Sequence, residues 1–313
     1  MASYALRRLA FGLLVVIAVT AVLFSVMQLM PGDPIRLIAD PSRIPEDRIE
    51  QMREQWGLNR PPAVQYFYWL GRLVQGDFGT SIVTGQKVSV LLLARLPYTL
   101  ALALISLVLH YTVAIPLGLW AAIREGSKFD RAVVFSTTIL RSVPGFWLGI
   151  LLMLLFGYTL RWLPISGFQG AASLVLPVAT LTLPLLGGTV RLTRSEVLET
   201  IREPYVLTAY AKGLPGRRVI TWHVLRNALI PVTVMFFLSL PWVVGGSVII
   251  ENVFAWPGMG RLLWGSITNQ DLPVVQGIIV IIATLTVISN TVGDIISGLL
   301  DPRIRIELEQ VRA

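Results

Sequence analysis

The chain has 313 residues, of which 54% are hydrophobic and 14% are charged. Because about a quarter of the residues of a soluble globular domain are charged, this composition excludes such a domain and indicates an integral membrane protein. The net charge of +8 comes from basic residues at the ends of apolar runs and in one loop. The basic and aromatic surface pattern of nucleic-acid-binding proteins is missing, so no nucleic-acid partner is expected. The chain has no cysteine, which excludes disulfides and thiolate metal sites.

Residues 1–32 are predicted to form an N-terminal transmembrane helix. Arg7 and Arg8 precede an uncharged run of 24 residues, which exceeds the roughly 20 residues that cross a bilayer core. A secretory or twin-arginine signal peptide is the competing interpretation, but the run is too long and no small-residue cleavage site follows it. Since basic flanking residues stay in the cytoplasm, the N-terminus is predicted there, with the segment 30–33 outside.

Residues 33–95 are predicted to form an exterior helical cap. This loop carries eight Lys/Arg and seven Asp/Glu, and a structureless loop of such length is uncommon in a folded protein. One helix is predicted to begin at Pro45 and to end at Gly57. A second is predicted to begin at Pro61-Pro62, and its aromatic residues 66–69 suit a membrane interface.

Residues 96–313 are predicted to form a core of five further spans and a cytoplasmic tail, 301–313. The spans are predicted at 96–123, 132–160 with a break at 141–145, about 173–190, 228–250 and 272–300. In this arrangement 15 Lys/Arg lie on the cytoplasmic side, against Arg161 and Arg261 in the short outer loops. The positive-inside rule therefore favours six spans with both termini in the cytoplasm.

The segment 191–230 is the most polar part of this core and is predicted to form a helical hairpin between spans four and five. A short helix is predicted from Glu203 to Leu214, with Pro204 at its first position and Gly213 as a left-handed cap. A second helix is predicted from about Arg217 to Arg226. A compact hairpin of this kind suits docking to a partner.

Several motifs carry a resemblance to a known family. In the hairpin they are Tyr205-Val206, Thr208-Ala209, Ala211-Lys212-Gly213-Leu214, Arg217-Arg218, His223 and Leu225-Arg226-Asn227-Ala228-Leu229-Ile230-Pro231. Elsewhere they are Met30-Pro31-Gly32-Asp33-Pro34, Gly76-Asp77-Phe78-Gly79, Phe254-Ala255-Trp256-Pro257-Gly258-Met259-Gly260 and Leu300-Asp301-Pro302-Arg303-Ile304-Arg305. Together they resemble ABC importer permeases of the dipeptide/oligopeptide/nickel group, in the first-permease subfamily. The chain departs from the family at Tyr210, where Arg is usual, and in its long segment 213–231.

The resemblance implies an all-α polytopic fold of the type I importer permease kind, in the cytoplasmic (inner) membrane of a prokaryote. It implies a second homologous permease chain, two ABC ATPase subunits that hold ATP and Mg, and an extracytoplasmic substrate-binding protein. No cofactor is expected in this chain. The implied substrates are short peptides, while nickel chelates, glutathione-like compounds, opines and oligosaccharides stay open as alternatives.

Three groups of residues are candidates for function. The candidates for ATPase coupling are Glu203, Tyr205, Thr208, Ala209, Lys212, Gly213 and Leu214. The candidates for the substrate pathway are Arg141, Ser142, Pro144, Trp242 and Asp294. The candidates for contact with the binding protein are Asp77, Phe78, Glu251 and Trp256.

Arg141 has two interpretations, because an arginine within a span is costly unless it meets a partner or a wet cavity. It either pairs with Asp294 or with free carbonyls at the Pro144 break, or lines the pathway and attracts the C-terminal carboxylate of a peptide.

The sequence gives no sign of catalysis. It contains no phosphate-binding loop, dinucleotide fingerprint, nucleophile elbow or His/Cys metal spacing, and its two histidines, His110 and His223, do not suggest a hydrolase. The chain is therefore predicted not to be an enzyme. An ion-coupled secondary transporter using Arg141 and Asp294 is the competing class, which the small number of spans disfavours.

Overall fold

The computed structural model describes residues 2–29 and 59–300. Within these ranges every named element is a helix, and the one β contact is an isolated bridge between Thr80 and Lys87. The predicted all-α fold class is confirmed. The predicted exterior helix 45–57, the segment 30–34 and the tail 301–313 lie outside the described residues.

The main helices of the described residues are numbered here along the chain. In chain order they are α1 (Ala2–Leu29), α2 (Pro62–Val74), α3 (Val88–Ile123), α4 (Lys128–Ser142), α5 (Gly145–Leu152), α6 (Val175–Thr182), α7 (Leu186–Ile201), α8 (Pro204–Ala211), α9 (Leu225–Val253), α10 (Met259–Thr268) and α11 (Leu272–Leu300). Turns of 3-10 helix precede α6 and α7, a π-helical turn follows α5, and the helical turns Gly216–Arg218 and Val219–Val224 precede α9.

The helices account for five or six membrane spans. By length and composition, five helical segments of the described chain can cross a membrane, namely Leu6–Val26, Val88–Ile123, Ala171–Ile201, Gly216–Val253 and Leu272–Leu299. A sixth span is formed if the bent pair Lys128–Ser142 and Gly145–Thr159, which meet at 100°, is counted as one. The predicted six spans are obtained when the bent pair is counted as one span, and the predicted break in span three is confirmed.

The break has a local cause. Val143 precedes Pro144, and a residue before proline is pushed out of the helical region, here to φ −87° and ψ 125°. Pro144 then lies immediately before α5 with φ −58°. Helix α4 therefore ends at Ser142 and α5 sets off in a new direction.

Helix α9 shows the opposite behaviour, since it continues through Pro231 and Pro241 without a break. Its turns before residue 225 make it longer than the predicted span 228–250. Prolines in a transmembrane helix are tolerated where neighbouring groups compensate for the lost backbone bonds.

The described chain divides into two compact units, one formed by residues up to Pro97 with Leu262–Val287, the other by Tyr98–Arg261 with residues from Ile288 onward. In the first unit α2 packs on α1. The Thr20 and Tyr66 hydroxyls lie 3.0 Å apart, and the Phe24 ring contacts the rings of Tyr66 and Trp69. Phe67 is left exposed.

The second unit contains the core that positions the candidate sites. One apolar cluster joins α3, α4 and α7 through Ala114, Ala121, Val133, Leu186 and Val190. A second cluster joins the ends of α3 and α7 to α8 and the start of α9 through Ala122, Val197, Val206, Ala209, Val219, Val224 and Ala228.

Candidate functional site

The segment Glu203–Leu214, here called the coupling segment, forms a capped helix as predicted. Glu203 is extended, Pro204 occupies the first helical position, and Gly213 has φ +77°. The Leu214 N–H bonds the Ala209 carbonyl at 3.4 Å and the Gly213 N–H bonds that of Tyr210 at 2.9 Å, which is the Schellman pattern. The left-handed glycine cap is confirmed.

The coupling segment has an inner and an outer face. Val206 and Ala209 are buried against the chain's own core, and Leu214 packs beside them. Leu207 is 60% exposed and Tyr210 is 43% exposed. Apolar side chains left uncovered on a short polar-flanked helix are typical of a protein contact surface.

This arrangement corrects part of the predicted contact set. Ala209 is buried and Leu214 is partly buried, and both pack on the chain's own core. The other predicted coupling residues are exposed: Glu203, Tyr205, Thr208, Lys212 and Gly213. Leu207 and Tyr210 are also exposed on this helix but were not among the predicted residues, although their spacing of three residues, offset by one from Val206 and Ala209, could have indicated a second face.

The predicted hairpin is also shorter than expected. The segment 191–201 belongs to α7, which continues span four, and the predicted second helix 217–226 is the beginning of the segment Gly216–Val253. Charged residues on one side of a helix do not end it, and they mark only where the helix leaves the apolar region. The coupling loop therefore shrinks from 191–230 to about 202–215.

Tyr205 ties the coupling segment to the start of α9. Its hydroxyl accepts a hydrogen bond from the Asn227 Nδ2 at 2.7 Å and donates to the His223 carbonyl at 3.4 Å. The ring is 41% exposed. The helix is thus fixed both by apolar packing on its inner face and by a polar bond at its first turn.

A cavity of about 940 Å³ lies in the second unit, between α3, α7, α9 and the α4–α5 break. Arg141, Val143 and Gly145 line it from the break. Its other polar lining residues are His110, Thr189, Ser239 and Ser297. The cavity therefore combines apolar walls with a guanidinium and a set of neutral hydrogen-bonding groups.

The neutral polar groups are connected. His110 Nε2 and Thr189 Oγ1 lie 2.7 Å apart. The His110 and Tyr111 rings pack edge to face, with their centroids 4.8 Å apart. The Tyr111 hydroxyl lies 3.0 Å from Ser239 Oγ. The three helices α3, α7 and α9 are thus joined beside the cavity. Thr189 and Ser239 carry no sequence signal for this role, because Ser and Thr are ordinary in membrane helices.

The predicted pathway residues are only partly brought together. Arg141 lines the cavity, whereas Ser142, Pro144, Trp242 and Asp294 are not among its lining residues. Trp242 is 81% exposed on α9. The two interpretations of Arg141, a pair with Asp294 or with free carbonyls at the break and a place on the pathway, stay predictions beyond its position at the cavity lining.

Glu251 and Trp256 differ most from their predicted positions. Both were expected at an exterior surface, but Glu251 is 0% and Trp256 is 1% exposed. Glu251 lies inside α9, and its carboxylate accepts bonds from the Thr99 and Ser247 hydroxyls at 2.7 and 3.3 Å and from the Gly260 and Arg261 N–H groups at 2.6 and 3.2 Å. These contacts cap the N-terminus of α10. Neither side chain has enough exposed surface in this structure to contact another protein directly.

The turn that follows is built around the same carboxylate. A Cβ added to Gly258 would overlap the Glu251 carboxylate, so only glycine fits there. The Trp256 indole N–H donates to the Tyr98 carbonyl at 3.1 Å. The Thr99 hydroxyl in turn accepts a bond from the Met259 N–H at 2.7 Å. Buried hydrogen bonds therefore connect this turn to residues 98 and 99 of α3.

Asp77 and Phe78 lie in an exposed turn of the first unit. The Gly79 N–H, and after it the Arg72 guanidinium at 2.8 Å, lower the pKa of the Asp77 carboxyl below its ordinary value. Gly76 and Gly79 both have positive φ. The Asp77 side chain is about half exposed, so it remains accessible.

Comparison with known proteins identifies relatives over nearly the whole chain. Residues 114–306 match the family model described as "Binding-protein-dependent transport system inner membrane component", and residues 1–103 match its N-terminal companion. The oligopeptide transport system permease protein AppB of Bacillus subtilis (strain 168) is 41% identical over 97% of this chain and 99% of its own. The di/tripeptide transport system permease protein DppB of Pseudomonas aeruginosa (strain UCBPP-PA14) is 35% identical over 97% of this chain and 99% of its own length.

A solved structure shares the fold. An inward-facing structure of the MetNI methionine ABC transporter superposes with a TM-score of 0.58, covering 67% of this chain and 96% of the other, at 21% identity.

Proposed function

Because the chain belongs to the family of binding-protein-dependent transport system inner membrane components, and is thus a permease subunit of an ABC importer, we propose that it forms half of a translocation pathway for short peptides. The substrate class is supported by the oligopeptide and di/tripeptide permeases among its relatives. Family membership sets aside the secondary-transporter alternative. The chemical step, ATP hydrolysis, belongs to partner subunits that hold ATP and Mg.

The outer face of the coupling segment is the observation that carries this proposal. Leu207 and Tyr210 are exposed apolar side chains close in sequence to Lys212. The helix that carries them is capped, and Val206 on its buried face packs against the core. An ATPase groove that covers these side chains would bury apolar surface and meet Lys212 with a carboxylate. Movement of the ATPase would then displace α7 and α9, which lead into and out of the segment.

The orientation follows from the same surface. The basic residues Arg217, Arg218 and Lys212 lie around the coupling segment, and the positive-inside rule favours the cytoplasmic side of an inner membrane for such a loop. Both termini then lie in the cytoplasm. The exposed Asp77 turn lies outside, where a substrate-binding protein delivers its ligand. A second, homologous permease supplies the other half of the pathway.

Within the pathway, Arg141 is the residue best placed to meet substrate. It lines the 940 Å³ cavity, and a guanidinium attracts the carboxylate that ends every peptide. A single such contact gives attraction without the many contacts that would trap a transported molecule.

The function is tested by reconstituting this chain in proteoliposomes with its second permease, two ATPases and binding protein. Uptake of labelled di-, tri- and oligopeptides should require ATP, while glutathione, nickel chelates and oligosaccharides should not compete. Uptake driven by an ion gradient without ATP, or uptake of one of the competitors in place of peptides, would contradict the proposal.

The coupling surface is tested by the double variant Leu207→Ser and Tyr210→Ser. Peptide uptake and substrate-stimulated ATPase activity should fall together, because the ATPase loses its contact area. Val83→Ser, which removes an exposed apolar side chain far along the chain, is the matched control and should leave both unchanged.

A further inference from the structure

A bidentate ion pair in the second unit links α4 to α7. The Arg194 Nε donates to Asp130 Oδ1 at 2.7 Å and its Nη2 donates to Oδ2 at 2.8 Å. The Asp130 side chain is only 5% exposed, and its Oδ2 also accepts a bond from the Gly126 N–H at 2.9 Å. Two parallel charge-assisted bonds fix direction as well as distance.

A second contact joins the same two helices at a different level. A Cβ added to Gly187 of α7 would lie 2.6 Å from the Thr137 carbonyl of α4, so the two backbones touch. Thr137 lies seven residues after Asp130, and Gly187 lies seven residues before Arg194. The helices are therefore antiparallel in a constant register, joined at two levels about 10 Å apart along their axes.

The paired helices extend from the coupling segment to the cavity. At one end α7 finishes at Ile201, directly before Glu203 and the coupling segment. At the other end α4 carries Arg141, whose Cβ lies 3.6 Å from the position of a Gly187 Cβ. Arg141 and the Thr189 side chain of α7 both line the cavity.

The two contacts resist different movements. Close packing at Gly187, with the shared core of Val133, Leu186 and Val190, keeps the helices together but permits the small sliding that packed helices undergo. The bidentate ion pair opposes sliding along the axes, because a shift of either helix would stretch both bonds. Beyond Ser142 the chain is bent by 100°, so α4 and α5 are separate helices with different directions.

We propose that Asp130 and Arg194 are positioning residues that make α4 follow α7, so that displacement of the coupling segment reaches Arg141 at the cavity. This inference rests on the proposed function as an ATP-driven permease. The ion pair touches no substrate. It determines how much of the ATPase movement arrives at the pathway, and hence the number of substrate molecules moved per ATP.

The test uses the complete reconstituted transporter and measures peptide uptake and ATP hydrolysis together. Asp130→Asn removes the charge and should leave assembly and substrate-stimulated ATPase activity in place. The uptake per ATP should fall about fivefold or more, the low end of coupling between sites. The exchanged pair Asp130→Arg with Arg194→Asp should recover part of the ratio. Glu125→Gln is the control, since its pair with Arg202 at 3.7 Å is largely exposed.

A distance measurement gives a second readout that does not depend on transport. The chain has no cysteine, so spin labels at Arg131→Cys and Ser195→Cys, both exposed, report the α4 to α7 distance. In the labelled chain without further substitution, this distance should be the same in nucleotide-free and ATP-trapped complexes. In the labelled chain that also carries Asp130→Asn, the distance should differ between the two states.

An unchanged uptake per ATP in Asp130→Asn, or a loss of uptake that only matches a loss of protein, would overturn the inference. In either case peptide uptake by the unmodified complex would still support the proposed function. Failure of that complex to transport peptides would instead overturn the proposed function.

Discussion

Two Pro-Gly turns flank the long helix α9, and they are built in opposite ways. Pro215-Gly216 follows the coupling segment, and a Cβ on Gly216 would find its nearest neighbouring atom 4.0 Å away. Pro257-Gly258 follows α9, and a Cβ on Gly258 would overlap the buried Glu251 carboxylate. The same dipeptide is an open connector in one place and part of a packed polar core in the other.

The acidic residues beside the two turns show the same contrast. Glu203 precedes α8 with its side chain exposed and makes no side-chain cap bond, whereas Glu251 accepts four hydrogen bonds in full burial. Surface groups of the first kind tolerate change, while removal of the second leaves several buried donors without an acceptor. Substitutions at the two turns should therefore separate docking from folding.

The largest contrast expected is an all-or-none difference in labelling. Arg218 lies beside the first turn and Asn269 lies beyond the second, and both residues are exposed. A cysteine can be introduced at either position. An impermeant thiol reagent added to intact cells should label Asn269→Cys and not Arg218→Cys, because the proposed orientation assigns the two positions to opposite sides of the membrane. Inverted vesicles should show the opposite result, and labelling of Arg218→Cys from outside would overturn the orientation.

Glu251→Ala should be the most destabilising of the substitutions. It leaves the Gly260 and Arg261 N–H groups and two hydroxyls unpaired, and at about 1–3 kcal/mol per buried unsatisfied group the unfolding free energy should fall by about 3 kcal/mol or more. Thermal unfolding in detergent and membrane abundance measure the effect. Glu203→Ala is the matched control, and equal stability of the two variants would show that the carboxylate does not hold the second turn.

Gly213→Val should impair coupling more than folding. A non-glycine residue at φ +77° is strained by about 1–2 kcal/mol, which the large core of the second unit can absorb while the outer face of the coupling segment is displaced. Uptake and transport-coupled ATPase activity should fall together at normal membrane abundance. Gly216→Ala has no such strain and should behave as the unmodified chain, so normal uptake by Gly213→Val would count against the docking role.

Tyr205→Phe should have the smallest effect. It removes the bonds to Asn227 and His223 at a half-exposed site, with an expected cost of about 0.5–1.5 kcal/mol. Hydrogen exchange of the α8 amides should quicken while overall thermal stability changes little. Unaltered exchange would mean that apolar packing through Val206 alone fixes the segment.

Local signals in the sequence were sufficient for much of the fold. The uncharged runs predicted the membrane spans, Pro144 predicted the break, and Pro204 with Gly213 predicted the ends of the coupling helix. These features depend on the neighbouring residues alone, since proline and glycine restrict or extend the backbone wherever they occur. The family motifs likewise predicted the membership that the relatives confirm.

The faces of the helices could not be predicted in the same way. Ala209 and Leu214 were expected to meet the ATPase but pack on the chain's own core, while Leu207 and Tyr210 of the same segment are exposed. In a membrane protein apolar residues meet core, lipid and partners alike, so the hydrophobic pattern does not distinguish these surroundings.

The sequence by itself determined the positions and order of the apolar spans, because hydropathy and backbone restriction act over a few consecutive residues. Only the tertiary structure decided which polar residues are buried together. Glu251 with Thr99, Asp130 with Arg194, and His110 with Thr189 lie far apart in the chain. A buried polar group needs a partner with the right geometry, and that geometry exists only after the helices have packed.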